Sequence, residues 1–149
     1  MRDIALARLT GARMHFLHLS TAGSVAMVAA AKAGGLPVSA EAAPHHFTLT
    51  DEMLRTFDAT FKVNPPLRTD ADVQALRAGL ADGTIDVVGT DHAPHPSEHK
   101  ECEWAQAAMG MTGLETALSV VQHTMIESGL MGWADFARVT STAPAAIGR

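Results

Sequence analysis

The sequence predicts an α/β fold in which short parallel strands alternate with helices. Two observations carry this. The stretch Thr84–His95, TIDVVGTDHAPH, runs from β-formers (Ile85, Val87, Val88) through Gly89 and Thr90 into Asp91, His92 and His95. It reads as a buried parallel strand whose C-terminal end carries polar, chemistry-bearing groups. The second is the order of elements along the chain: helix, strand, helix, strand, helix, strand, helix. Strands separated by helical patterns form parallel βαβ units.

The elements follow in order. Asp3 to Leu9 carries Ile4, Leu6 and Leu9 among charges and predicts the tail of a helix capped at Gly11. Met14 to Leu19 predicts a strand ending in His18 and Ser20, with Met14, Phe16 and His18 on one side and His15 on the other. Val25, Val28, Ala29 and Lys32 recur at helical spacing from Thr21 to Lys32, with Ser20 or Thr21 as cap and Gly34–Gly35 as stop. Leu36 to Ala42 is a second strand, alanine-rich, running into Pro44, His45, His46 and Phe47. Thr50 opens a short helix through Met53, Leu54 and Phe57. Phe61 to Val63 is extended, and Asn64-Pro65-Pro66 forbids a helix. Thr69 or Asp70 starts a helix with Val73, Leu76 and Leu80 on one face, ended by Gly83. After the third strand, Pro96 to Gln106 is a polar loop over a strand end, a natural substrate-facing position. Met111 to Ser128 predicts a long helix, and Trp133 to Val139 a last one before Pro144.

Polar residues gather after each strand, at one end of the sheet, as in a (β/α) barrel. A closed barrel takes about 250 residues, and this chain offers about three of eight strands. On pattern alone the chain is an open α/β sheet or part of a larger barrel, and residues 1–149 form one domain.

Composition narrows the function classes. The chain has 149 residues, 47% apolar and 18% charged, a globular composition. A net charge of −5 gives no basic footprint for nucleic acid. No apolar run is long enough to span a membrane. MRDIALARLTGAR has no apolar core followed by a cleavage site, so no secretory signal is read. The single Cys102 excludes an internal disulfide and suits the cytoplasm.

Several side chains carry candidate chemistry. His18, at a strand end, reads either as a metal ligand or as a histidine bonded to backbone. Asp91 follows Val87, Val88 and Gly89 directly, where a carboxylate needs a partner or a metal; it could also accept a proton from an activated water, or simply cap a turn. His95, four residues on, could reach a substrate carboxylate or carbonyl, or be solvated. Asn64, held before two prolines, could bond a planar amide. Met109-Gly110 could offer backbone groups to a ligand, since glycine permits close approach. His45 and His46 are adjacent, so in an extended chain at most one faces the site. His92 has no evident role, and Cys102 has no matched base.

Four segments together point to a family: HFLHLSTAGSV (His15–Val25), PVSAEAAPHHFTLTDE (Pro37–Glu52), FKVNPPLRTDADVQAL (Phe61–Leu76) and DGTIDVVGTDHAPHPSEHK (Asp82–Lys100). In this order they resemble the dihydroorotases, bacterial type I, of the amidohydrolase superfamily. APHH, NPPLR and GTDHAPH in combination are specific to that resemblance, whereas each alone also suits allantoinase or hydantoinase.

The resemblance implies the C-terminal part of a (β/α)8 TIM-type barrel, about strands six to eight with their helices. It implies a cytoplasmic, zinc-dependent cyclic amidase that interconverts N-carbamoyl-L-aspartate and L-dihydroorotate in pyrimidine synthesis. By the resemblance, His18 and Asp91 match metal ligands, Asp91 also the catalytic acid/base. Asn64, His95, Met109 and Gly110 match substrate-binding positions. Glu41 and His46 match recurrent positions without an assigned role. The family's centre usually holds a pair of Zn²⁺ ions. The His-x-His pair of its first strand, the bridging carboxylate of its fourth and the His of its fifth have no counterpart here, so the chain is expected to hold only part of the ligand set. The implied partners are the small-molecule substrate and a second copy of the chain or aspartate transcarbamoylase. The alternatives are an allantoinase- or hydantoinase-like cyclic amidase and a non-catalytic dihydroorotase-like scaffold subunit.

Overall fold

The computed structural model describes residues 1–148. Its centre is a parallel sheet of three strands in sequential order: β1 (Met14–Phe16), β2 (Val38–Ala42) and β3 (Val87–Val88). The register pairs Met14 with Val38 and Phe16 with Ala40, then Glu41 with Val87 and Ala42 with Val88. Hydrogen bonds beyond the strands lengthen the pairing: Leu19 N–H donates to Glu41 O (2.8 Å), Asp86 N–H to Ala40 O (2.9 Å) and Gly89 N–H to Ala42 O (3.2 Å). The α/β class and parallel order agree with the sequence reading.

Each crossover carries a helix whose ends follow local chemistry. α1 (Arg2–Thr10) closes with the Gly11 N–H donating to Ala7 O. α2 (Ala22–Ala33) begins at Thr21, whose hydroxyl accepts from the Ser24 N–H at 3.1 Å. α3 (Asp70–Asp82) begins at Thr69, which likewise accepts from the Asp72 N–H. The α3 face Val73, Leu76 and Leu80 is buried as its spacing predicted.

One sheet face is apolar. Val38, Ala40 and Ala42 are buried on β2, alternating with half-buried Ser39 and Glu41. The small alanines of β2 leave room for the helices; Ala40 and Ala42 pack with Val28, Phe47, Leu76, Leu80 and Ile85 in the main core. The other face carries a polar set: His15 Nδ1 lies 2.7 Å from Ser39 Oγ, and His15 Nε2 lies 3.2 Å from Glu41 Oε2. At the base of the sheet Lys32 Nζ reaches both Asp86 carboxylate oxygens (2.7 and 2.8 Å), and Asp86 accepts from the Ala40 N–H.

Three local expectations are corrected. β1 stops at Phe16 rather than Leu19, because His18 takes a left-handed backbone (φ +35°) that breaks the strand. Phe61 lies in a tight turn, Ala59–Phe61, set by Asp58, whose carboxylate accepts from the Thr60 N–H. The short helix expected from Thr50 is present, as a tight helical stretch over Asp51–Thr56. The helix expected from Met111 begins instead as α5 (Ala117–Val121), after α4 (Ser97–Lys100) in the preceding loop. Met111 pairs with His92, and His92 Nδ1 accepts the Gly113 and Leu114 N–H groups at 3.1 and 3.0 Å, holding that segment out of the helix.

α5 runs on through a wider turn, Gln122–Ile126. α6 (Trp133–Ala137) does the same through Arg138–Thr142 and continues as α7 (Ala143–Ile147) past Pro144, where a stop was expected. Pro144 sits near the start of α7, where its missing N–H is tolerated.

Candidate active site at the strand ends

The C-terminal ends of the three strands converge on His18, His45 and Asp91. Among the described residues only three non-glycine positions take a positive φ: His18 (+35°), Phe57 (+54°) and Asp91 (+47°). Two of the three are the candidate ligands that the sequence placed at the ends of β1 and β3. Such backbone costs about 1–3 kcal/mol per residue and survives where the surroundings impose it. At β1 the imposing contacts come from β2: the Glu41 carboxylate lies 3.4 Å from the His18 N–H, and Glu41 O takes the Leu19 N–H. Gly89 makes room for that carboxylate, since a Cβ there would lie 2.5 Å from Glu41 Cδ.

His45 and His46 follow β2 in a turn, not in extended chain, so their rings are not forced apart. The ring centroids are 4.2 Å apart, tilted by 56°. They still face different partners. His46 Nε2 donates to Pro65 O at 2.8 Å, beside Asn64, while His45 Nε2 points toward Asp91 Oδ2 at 3.8 Å. Both rings are buried. Burial pushes the His45 imidazole down to about 3, helped by the neighbouring His46 and His18, and burial also lowers His46. Both rings are neutral at pH 7, so the His45–Asp91 contact is not an ion pair.

His18 Nδ1, His45 Nε2 and His46 Nδ1 are buried without a hydrogen-bond partner. An open imidazole nitrogen such as His18 Nδ1 has the donor chemistry that Zn²⁺ takes, whereas an open nitrogen facing a carboxylate, as His45 Nε2 faces Asp91, can instead carry a proton toward it. Among the described residues, however, no group of three or more His, Cys, Asp or Glu side chains could hold a metal.

The four rim residues named from sequence fall together around the loop after β3. His95 Nε2 donates to Met109 O at 3.0 Å. Gly110 adopts φ +144°, and a Cβ there would lie 2.7 Å from Ala93, so glycine is required for this approach. Gly110 N–H donates to Lys62 O at 2.9 Å, which brings it beside the Asn64 segment. Asn64 and Met109 line one cavity of about 290 Å³ with Phe61, Lys62 and Trp104.

The sequence placed at most one of His45 and His46 at the site without choosing between them, because the turn that aims His45 at Asp91 was not visible. Two further groups near the site escaped it. Lys62 and Lys100 gave no signal. Lys62 Nζ donates to the carbonyls of Trp104 and Ala107 (both 2.6 Å), and Lys100 Nζ to those of Ala108 (3.0 Å) and Gly110 (2.9 Å), so two ammonium groups pin the loop. His92, without a role in sequence, is a structural acceptor.

No protein-family profile matches the chain. Curated relatives do. The dihydroorotase of Leifsonia xyli subsp. xyli is 61% identical over 148 residues, covering 99% of this chain and 34% of the relative. That of Streptomyces coelicolor is 62% identical, over 99% of this chain and 35% of the relative. Among solved structures, the L-hydantoinase (dihydropyrimidinase) of Arthrobacter aurescens superposes with a TM-score of 0.92 at 30% identity, covering 98% of this chain and 33% of that one. The dihydropyrimidinase of Brevibacillus agri gives 0.91 at 27% identity, over 97% and 33%. The chain thus spans about a third of the length of the proteins it matches. Along nearly its whole length it is a homologue of the dihydroorotases, corresponding to about one third of such a protein.

Proposed function

We propose that this chain is the part of a dihydroorotase that carries strands six to eight of a (β/α)8 barrel, and that His18 and Asp91 are its contribution to a metal centre. The observation that carries the reading is the pair of left-handed backbones at His18 and Asp91, at the ends of β1 and β3, with His45 between. The reaction is the reversible hydrolysis of L-dihydroorotate to N-carbamoyl-L-aspartate.

The residues divide the work as follows. His18 and Asp91 would be donors for zinc, which would supply a Lewis acid and lower the pKa of water. Asp91 takes the proton of the attacking water as the new C–O bond forms at the ring amide carbon. It returns that proton to the ring nitrogen as the C–N bond breaks. Cyclisation runs the same transfers backward and releases water. Asn64 and His95 orient the substrate's ring amide and carboxylate, and the Met109-Gly110 backbone contacts the ring, which lowers the entropic part of the barrier.

A segment exchange tests this. The aligned third of the Leifsonia xyli dihydroorotase is replaced by this chain, and the purified chimera is assayed with L-dihydroorotate, hydantoin and allantoin. Turnover of dihydroorotate well above the other two is expected. A folded chimera that turns over only hydantoin or allantoin reassigns the substrate; one that is inactive on all three, while the parent is active, overturns the reading in favour of a non-catalytic scaffold.

A further inference from the structure

We propose that His45 is a positioning residue for Asp91: its imidazole donates Nε2–H to Asp91 Oδ2 and fixes the direction of that carboxylate at the end of β3. This rests on reading Asp91 as the group that moves the proton.

Four observations converge. His45 is 6% exposed, and its Nε2 is buried with no hydrogen-bond partner. A buried polar nitrogen left open asks for a partner. Among the described residues the carboxylate within ion-pair reach of that nitrogen is Asp91, at 3.8 Å, a small side-chain adjustment from hydrogen-bond distance. The Asp91 carboxylate in turn receives no hydrogen bond from any described residue, although its backbone is held at φ +47°. The backbone of Asp91 is fixed, and an N–H from His45 would fix the direction of Oδ2 as well.

The ring is braced for this task from behind. It packs at a tilt against His46, whose Nε2–H is tied to Pro65 O at 2.8 Å. Pro65 follows Asn64, so the His45–His46 pair links the substrate-facing Asn64 segment to Asp91. The same logic explains why the APHH turn places two histidines side by side: one anchors, the other aims.

The test is histidine tautomer state in the whole chain, labelled with ¹⁵N-histidine and read at pH 7 by long-range ¹H–¹⁵N correlation. His46, whose Nε2 faces a carbonyl and must carry the proton, is the internal reference. His45 is expected as the Nε2–H tautomer. Its Nε2–H resonance should move upfield and exchange faster with water in Asp91→Ala. An Nδ1–H tautomer in the unsubstituted chain overturns the proposal, and that result stands even if Asp91→Ala does not fold. So does an Nε2–H resonance unchanged by Asp91→Ala. Both readouts are independent of turnover, so an inactive chimera would refute the functional reading and leave this measurement interpretable.

Discussion

Acid should destabilise this chain through His45, by an amount that follows from its burial. The imidazole has an ordinary value of 6.5 and is lowered to about 3 in the fold. Between those values the unfolded chain binds a proton that the folded chain refuses. Unfolding therefore takes up a proton, and stability rises with pH across the window and is lost as pH falls from about 6.5 toward 3. Going from pH 7 to pH 5 costs about 2 kcal/mol from this one group. His46, lowered for the same reason, adds in the same direction. Urea unfolding at pH 7, 6 and 5 measures the effect. His45→Gln should flatten the dependence by about one proton's worth of slope, about 1.4 kcal/mol per pH unit in the middle of the window. An identical slope in the unsubstituted chain and in His45→Gln would refute the reasoning, since it would mean that the imidazole titrates alike in both states.

Three further outcomes are expected. Asp86→Ala leaves Lys32 and the Ala40 N–H without their shared acceptor, each ion-pair side chain being only 25% exposed; a loss of about 2–4 kcal/mol is expected in chemical denaturation. Gly110→Ala forces a side chain into φ +144° and against Ala93, and should cost about 1–3 kcal/mol in backbone strain, seen as a lowered Tm. Lys100→Met removes the ammonium that gathers the carbonyls of Lys62, Ala108 and Gly110. Amide exchange should then rise across residues 96–110 and stay unchanged in α3.

The parts of the fold legible in sequence are those set by local chemistry. Thr21 and Thr69 cap helices because a hydroxyl meets an N–H three residues on, and both partners lie within one turn. Ile85, Val87 and Val88 announce a strand by branching alone. His95, Met109 and Gly110, named by resemblance, contact one another in the fold. What was not legible depends on partners far along the chain. The helix after Met111 starts late because His92, about twenty residues earlier, takes the Gly113 and Leu114 N–H groups. β1 ends early because Glu41, on the next strand, draws the His18 and Leu19 amides into a left-handed bend that nothing about a histidine signals. The Lys62 and Lys100 clamps are invisible for the same reason, since a lysine in a loop ordinarily reads as a solvated charge.

The most direct measurement is dihydroorotate hydrolysis by the chimera with Asp91→Ala. The account predicts a fall of about 10²–10⁴-fold in kcat, the contribution of a positioned acid/base, with the fold retained. A folded Asp91→Ala chimera whose kcat stays within a few-fold of the unsubstituted one would contradict it, and would place the proton transfer on another group.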